Sequence, residues 1–288
     1  MIESGLLPPR PPDAHKGAAG RVFVLAGSSG MTGAAALCTT GALRVGAGLV
    51  TLGIPKSLHH PMVEKLTEAM FRVLPETKEG SLGLQGLPEI ASDIDKMDAA
   101  AIGPGLSQHP QTKTLVRQLL PKIVKPLVLD ADGLNALAEE VDLLKKLPLP
   151  IILTPHPGEM GRLARLSPDD VQRDRQRIAV EFAKKYNVIV ALKGHATVVA
   201  DYEGSVYVND TGNPGMASGG CGDVLTGMIA GLLGQGLSRF DAARLGVYLH
   251  GLAGDLAASE RGEIGLLASD LADRIPQAIR QYQSMSSV

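Results

Sequence analysis

Between residues 20 and 200, short apolar runs alternate with longer amphipathic stretches. Val22-Phe23-Val24-Leu25-Ala26 is uninterrupted by polar residues, as a strand buried on both faces requires. Gly27-Ser28-Ser29-Gly30 breaks the run, residues 34–45 are rich in Ala and Leu, and Leu49-Val50-Thr51-Leu52 reads as a second short strand. The order strand–loop–helix–strand is the opening of a βαβ unit. The pattern predicts further strands at 99–102, 127–129, 151–153 and 188–192, with helices at 111–120 and 134–146 between them. A helix after residue 157 is broken near Ser167. Ser167 then reads as the N-cap of one long helix to Tyr186, with Pro168 first and Asp169 and Asp170 in its first turn.

The rhythm then changes. Residues 197–200 and 205–208 flank Asp201-Tyr202-Glu203-Gly204, which predicts an antiparallel hairpin. Gly-rich residues 212–222 lead into three helical segments at 223–233, 238–258 and 269–282. No linker, repeat or charge block divides the chain. The expected fold is α/β: a mostly parallel central sheet, helices on both faces and an antiparallel edge. It forms one domain over 1–288, with an irregular arm at 1–20 where Pro8, Pro9, Pro11 and Pro12 forbid a continuous helix.

Composition narrows the function. Lys and Arg total 28 and Asp and Glu total 30, a net charge of −2. No bulk positive charge is available for nucleic acid. Aromatics are 3% with no Trp, which argues against base-stacking platforms. Two cysteines, Cys38 and Cys221, make no disulfide framework and read as reduced thiols. The proline-rich start has no apolar core of a signal peptide, and the apolar stretch 224–234 is too short to span a membrane. A cytoplasmic location is expected. The 34 glycines are in excess; 17–53 holds nine and 204–236 holds ten.

Ligands of open α/β sheets bind beyond the carboxyl ends of the strands. Here those ends carry Gly27-Ser28-Ser29-Gly30, Gly103-Pro104-Gly105, Asp130, Thr154-Pro155-His156 and Lys193-Gly194. The most distinctive segment is Gly219-Gly220-Cys221-Gly222-Asp223 at the start of a helix. Bare backbone amides and the positive end of a helix dipole suit a phosphate. The plainer reading is a helix start that Asp223 stabilises through the dipole, but such a start does not need three glycines. No P-loop is present. The Gly27–Gly33 loop lacks the dinucleotide fingerprint and its acidic ribose partner.

Six separated motifs occur in order: Ala26-Gly27-Ser28 with Gly33-Ala34-Ala35; Gly103-Pro104-Gly105; Leu129-Asp130-Ala131-Asp132-Gly133-Leu134-Asn135; Thr154-Pro155-His156-Pro157-Gly158-Glu159; Lys193-Gly194-His195-Ala196-Thr197; and Gly219-Gly220-Cys221-Gly222-Asp223. With these, the chain from about Lys16 onward resembles the ADP/ATP-dependent NAD(P)H-hydrate dehydratases of the ribokinase-like superfamily. Cys221 is a departure, since related sequences often carry another small residue there.

The resemblance implies repair of NADH and NADPH hydrates (NADHX and NADPHX), with ADP or ATP as co-substrate and Mg²⁺. Asp223 would take the hydroxyl proton, while Gly220, Cys221 and Gly222 would offer amides to the transferring phosphoryl group. A helix N-terminus should hold the Asp223 carboxyl low, leaving it ionised and a weak base. Ala35, Gly105, His156 and Asp223 would line the hydrate pocket. Lys193, Gly194, His195, Ala196, Thr197 and Gly222 would hold the nucleotide, and Glu159 would organise the metal through water. The resemblance further implies a homotetramer and a separate epimerase for the other hydrate epimer. A ribokinase-like kinase of a hydroxymethyl vitamin precursor is the alternative; a non-catalytic nucleotide-binding regulator is a third reading.

Taken singly, these residues have plainer roles. His156 could be a turn histidine, Lys193 a solvated side chain, and Cys221 a small filler. Asp130 and Asp132 could be turn formers or caps. His59-His60 reads as surface and Met216 as loop packing.

Overall fold

The computed structural model describes residues 2–7 and 9–285; Met1, Pro8 and residues 286–288 lie outside it. Along the chain the first half runs β1 (Arg21–Leu25), α1 (Thr32–Arg44), β2 (Leu49–Pro55), α2 (His59–Lys65), β3 (Met70–Leu74), α3 (Leu87–Asp95), β4 (Ala99–Ile102) and α4 (Pro110–Leu119). It continues through β5 (Leu127–Leu129), α5 (Ala131–Ala138), β6 (Ile152–Leu153), α6 (Pro157–Ala164), α7 (Pro168–Arg173), α8 (Arg175–Tyr186) and β7 (Ile189–Leu192). The remainder is β8 (Val198–Ala200), β9 (Val206–Val208), α9 (Cys221–Gly234), α10 (Arg239–Arg261) and α11 (Ala268–Ser284).

One nine-stranded sheet has the order β3-β2-β1-β4-β5-β6-β7-β8-β9. The strands from β3 to β7 are parallel; β8 and β9 are antiparallel. The mostly parallel sheet with an antiparallel edge is as expected. Strand order reverses between β1 and β4, so a crevice opens beyond their carboxyl ends.

Alternate strand residues face opposite cores. Val22, Val24, Ala99 and Ala101 pack with α1, α9, α10 and α11. Phe23, Leu25, Ala100 and Ile102 pack with α3, α4, α5 and α8 on the other face. Each fully buried Leu or Phe contributes about 1.5–3 kcal/mol relative to exposure. Helix α9 is apolar nearly all round and lies inside the protein, as such a helix must.

Helices α1 and α9 approach backbone to backbone. A Cβ on Gly227 would stand 1.8 Å from the Cys38 carbonyl oxygen, and one on Gly41 would stand 2.3 Å from the Val224 carbonyl oxygen. Part of the glycine excess therefore serves helix packing.

Two sequence expectations need correction, and one strand–helix pair has no counterpart among them. The long helix from Ser167 is two helices. Ser167 does cap α7 through the Asp170 amide, but the chain breaks at Asp174, which caps α8 by accepting from the Arg177 amide. The helix expected at 134–146 stops at Ala138 and resumes as a 3-10 segment, Val141–Lys146. Strand β3 and helix α3 lie between the predicted elements; β3 is an edge strand with exposed Met70 and Val73, so its pattern lacks a buried strand's apolar run.

The N-terminal arm is irregular, as the prolines require. It is fastened to α11: the Leu6 N–H donates to Tyr282 Oη at 3.0 Å, and the Tyr282 hydroxyl donates to the Glu3 carbonyl at 2.7 Å. His59 and His60 lie on the surface of α2, with His59 against Phe71. Among the described residues, no helix is long and apolar enough to cross a membrane.

Candidate active site

The reversal of strand order brings two loops together. The Gly27 N–H donates to the Pro104 carbonyl at 2.9 Å, and Ser28 Oγ donates to the Gly105 carbonyl at 2.8 Å. Gly105 lies against Met31 and Ala34 with φ +62°. Ala35 has no exposed surface and supports the Gly27 turn from below. Gly103 must be bare: its φ is +134°, and a Cβ would meet the Asp130 carbonyl oxygen at 1.8 Å.

Asp130 ends β5 and is 1% exposed. It does not cap α5 with its side chain. Its Oδ1 instead accepts from Lys193 Nζ at 2.9 Å, and its Oδ2 accepts from Thr226 Oγ1, one turn into α9, at 2.7 Å. Asp132 is different: it accepts from the Ser107 amide at 2.9 Å and from Asn135 at 3.1 Å, bracing the Gly103–Gly105 loop.

His156 is the N-cap of α6. Its Nδ1 accepts from the Gly158 and Glu159 amides, while Glu159 Oε2 accepts from the His156 amide at 2.8 Å. This reciprocal arrangement is a capping box. It buries Glu159 with Oε2 3.7 Å from Lys193 Nζ. Lys193 is therefore not a solvated strand end; it stands among carboxylates. A Cβ on Gly222 would lie 3.3 Å from its Nζ, so the ammonium abuts the start of α9.

Electrostatics follow from this crowding. Burial works against the Lys193 ammonium, but Asp130 and Glu159 outweigh it and hold its pKa above the ordinary value. Burial pushes the Glu159 carboxyl up. Asp223 is pushed up to about 7, by burial first and by Asp130 next, against the opposing pull of Lys193. The expectation of an ionised, weakly basic Asp223 is thus overturned. Desolvation and neighbouring carboxylates exceed the helix dipole, whose contribution is about 0.3–1 kcal/mol at an exposed end. A carboxylate with a pKa near neutrality is matched to general-base work.

On the other side of α9 lies a cleft of about 470 Å³. All five residues of the Lys193–Thr197 turn line it, together with Cys221 and Gly222. Gly105, His156, Glu159 and Asp223 do not line this cleft; Asp223 lies within electrostatic reach of Asp130, Lys193 and Glu159. The turn is held by Arg175. Its guanidinium donates to the carbonyls of Leu192, His195 and Ala196, at 3.2 Å and 2.9 Å for the first and last. Arg175 Nε is buried without a hydrogen-bond partner, and no carboxylate neutralises the group among the described residues.

Gly220 begins α9 at φ +98°, where a Cβ would strike Leu37 at 2.4 Å. The first amides of a helix lack intrahelical partners, and Cys221 and Gly222 at this end line the cleft. Cys221 is buried and its thiol is pushed up, chiefly by burial, which fits a small filler rather than a reactive group. Met216 packs against Gly212 and Gly254, as loop packing requires.

Four further positions at the site carry no clear sequence signal. Thr226 and His250 sit inside helical runs, where nothing local distinguishes them from core residues. His250 Nε2–H donates to the Cys221 carbonyl at 2.8 Å, and burial pushes its pKa down to about 4, so it is neutral. Arg175 resembles any basic residue of an amphipathic helix. Asn209, bonded to Tyr207 and Thr211, lines the cleft from a strand end.

A family model for NAD(P)H-hydrate dehydratase matches residues 22–277. The bifunctional NAD(P)H-hydrate repair enzyme Nnr of Moorella thermoacetica is 48% identical over 277 residues, covering 96% of this chain and 52% of that protein. The chain spans about half the length of the curated relatives it matches. The crystal structure of the ADP/ATP-dependent NAD(P)H-hydrate dehydratase of Bacillus subtilis, co-crystallised with ATP and Mg²⁺, superposes with a TM-score of 0.82 at 34% identity, over 96% of this chain and 94% of that one. A ribokinase-like superfamily protein of Enterococcus faecalis superposes with a TM-score of 0.82 at 27% identity, over 98% and 96% of the two chains. By fold, motif order and these likenesses, the chain belongs to the NAD(P)H-hydrate dehydratase family of ribokinase-like proteins.

Proposed function

We propose that the protein returns the (S)-6-hydroxy hydrates of NADH and NADPH to NAD(P)H, using ADP or ATP as the phosphoryl donor. The observation that carries this reading is Asp223: a carboxyl in the first turn of α9, beside the Asp130, Lys193 and Glu159 cluster and pushed up to about 7.

On this reading the nucleotide lies in the 470 Å³ cleft, its phosphates against the Lys193–Thr197 turn and Gly222. The nicotinamide end of the hydrate lies in the crevice by Gly105 and His156, with Ala35 supporting the loop from below. Asp223 takes the hydroxyl proton as the oxygen attacks the terminal phosphorus, and the shortened nucleotide leaves with the broken P–O bonding pair. The amides of Gly220, Cys221 and Gly222 stabilise the charge spread over the phosphoryl oxygens. The C–O bond then breaks, assisted by the ring nitrogen lone pair, and phosphate departs. The neighbouring ring carbon gives up a proton, which restores the double bond.

The donor chemistry fits a hydrated Mg²⁺. Among the described residues no three His, Cys, Asp or Glu side chains are arranged to enclose a metal, while a buried Glu159 beside the phosphate region can hold one through water. Mg²⁺ commonly keeps several waters and uses one carboxylate plus phosphate oxygens. When bound, it would supply charge neutralisation of the phosphates.

The other hydrate epimer would reach this site through a separate epimerase, and the assembly would be a cytoplasmic homotetramer. Light scattering of the purified chain tests the assembly. The activity is tested by mixing the protein with Mg²⁺, ADP or ATP, and NADH hydrate, and following the recovered nicotinamide absorbance. No recovery with either nucleotide, from protein shown to be folded, rejects the reading.

A further inference from the structure

A second cavity, of about 490 Å³, opens between α6, the 3-10 segment Val141–Lys146 and α8. Its volume is within the range of small-molecule sites, about 300–1,000 Å³. It shares no lining residue with the cleft of the active site.

The floor is apolar. Leu163, Ile178, Phe182 and Tyr186 form it, all buried, with the Phe182 and Tyr186 ring centroids 4.5 Å apart. The rim carries Lys145, Arg165, Arg177 and Lys185 against Asp142 and Glu181. Lys145 pairs with Asp142 at 2.7 Å and Arg177 with Glu181 at 3.1 Å. Arg165 and Lys185 have no ion-pair partner among the described residues. Both line the cavity, and after Lys145 their charges help to hold the Asp142 carboxyl below its usual range.

Lysines at a rim are ordinary, since their stems lie along apolar surface while their heads stay in water. Tyr186 adds a polar tip to the apolar floor. Its ring is buried, while its hydroxyl bonds no protein group among the described residues and is not closed off from solvent. It can therefore donate to a molecule in the cavity. The ammoniums of Lys145 and Lys185 stand 5.3 Å and 5.0 Å from its ring centroid.

We propose that this cavity binds a small anion with a flat apolar body, of the aromatic carboxylate or sulfonate class. The ring lies on Phe182 and Tyr186, the charge faces Arg165 and Lys185, and an acceptor atom takes the Tyr186 hydroxyl. Unpaired charge at the rim supplies attraction and the aromatic floor supplies area.

The probe is 8-anilinonaphthalene-1-sulfonate, titrated by fluorescence into the full chain at low salt, with saturating ATP and Mg²⁺ to occupy the active-site cleft. Saturable binding that ATP does not displace is expected, and salicylate should compete with it. The double variant Arg165→Glu and Lys185→Glu should weaken the probe at least about fivefold, and Tyr186→Phe about threefold, with circular dichroism unchanged. Displacement by ATP overturns the proposal, as does a smaller loss in the charge-reversed variant.

Discussion

Lys193 Nζ lies 2.9 Å from Asp130 Oδ1, joining the ends of β7 and β5 inside the protein. It is also 3.7 Å from Glu159, and its charge pulls against the raised carboxyl of Asp223. One ammonium thus serves three carboxylates. Lys193→Met should leave them uncompensated. Breaking a buried pair costs about 3–5 kcal/mol, so a large fall in melting temperature is expected. Lys193→Arg, which keeps the charge, should recover most of it.

Asp223 sets the pH dependence. With its carboxyl at about 7, kcat/KM for the hydrate should fall about tenfold per unit as pH drops below neutrality. Asp223→Asn should abolish this limb and lower turnover by about 10²–10⁴-fold. Nucleotide affinity, measured by calorimetry, should change little. Near-normal turnover in that variant would remove Asp223 from the base role.

The same carboxyl should cost stability. Its folded pKa of about 7 is raised above the ordinary value of 3.8, so the folded state holds the proton more tightly than the unfolded chain does. Stability is fullest below the unfolded pKa, declines as pH rises through the folded one, and is then level. Glu159 and Lys193 share in this titration, so Asp223→Asn should stabilise the protein by about 2 kcal/mol at pH 8 and by nothing at pH 4. Chemical denaturation at the two pH values reads the difference.

Arg175 touches neither proposed ligand, so its role is positioning. It holds the nucleotide turn by three carbonyls, and that turn includes Gly194 at φ +147° and Ala196 at φ +54°. Arg175→Gln should raise KM for the nucleotide about tenfold, with KM for the hydrate unchanged. Arg175→Lys should recover only part, since an ammonium lacks the planar fork. An equal rise in both KM values would mean a general loss of structure.

The parallel sheet was legible because its strands are short apolar runs closed by Gly, Asp or Pro, as at Val22-Phe23-Val24-Leu25-Ala26. Edge strand β3 was not, because exposed Met70 and Val73 break the pattern of a buried strand. Ser167 is legible as a cap because Pro168, Asp169 and Asp170 follow it, whereas Asp174, seven residues later, is one polar residue among several and carries no such signature. At the site, motif order singles out Asp223, Lys193 and His156 as candidates. It could not reveal that Asp130 belongs with Lys193 and Thr226, since those contacts join residues 63 and 96 positions apart. The raised carboxyl of Asp223 is hidden for the same reason: the helix end is visible in sequence, whereas the burial and the surrounding carboxylates are not.

Helix α1 starts beside the crevice loops and α9 starts at the Gly-rich loop, and the two touch main chain to main chain through Gly41 and Gly227. On the proposed function, the span from acceptor alcohol to phosphoryl donor would be a main-chain dimension, as fixed as a gauge block. Substitutions in the loops would then change which alcohol is admitted and leave that distance alone. Substitutions at the helix contact would alter it for every substrate at once.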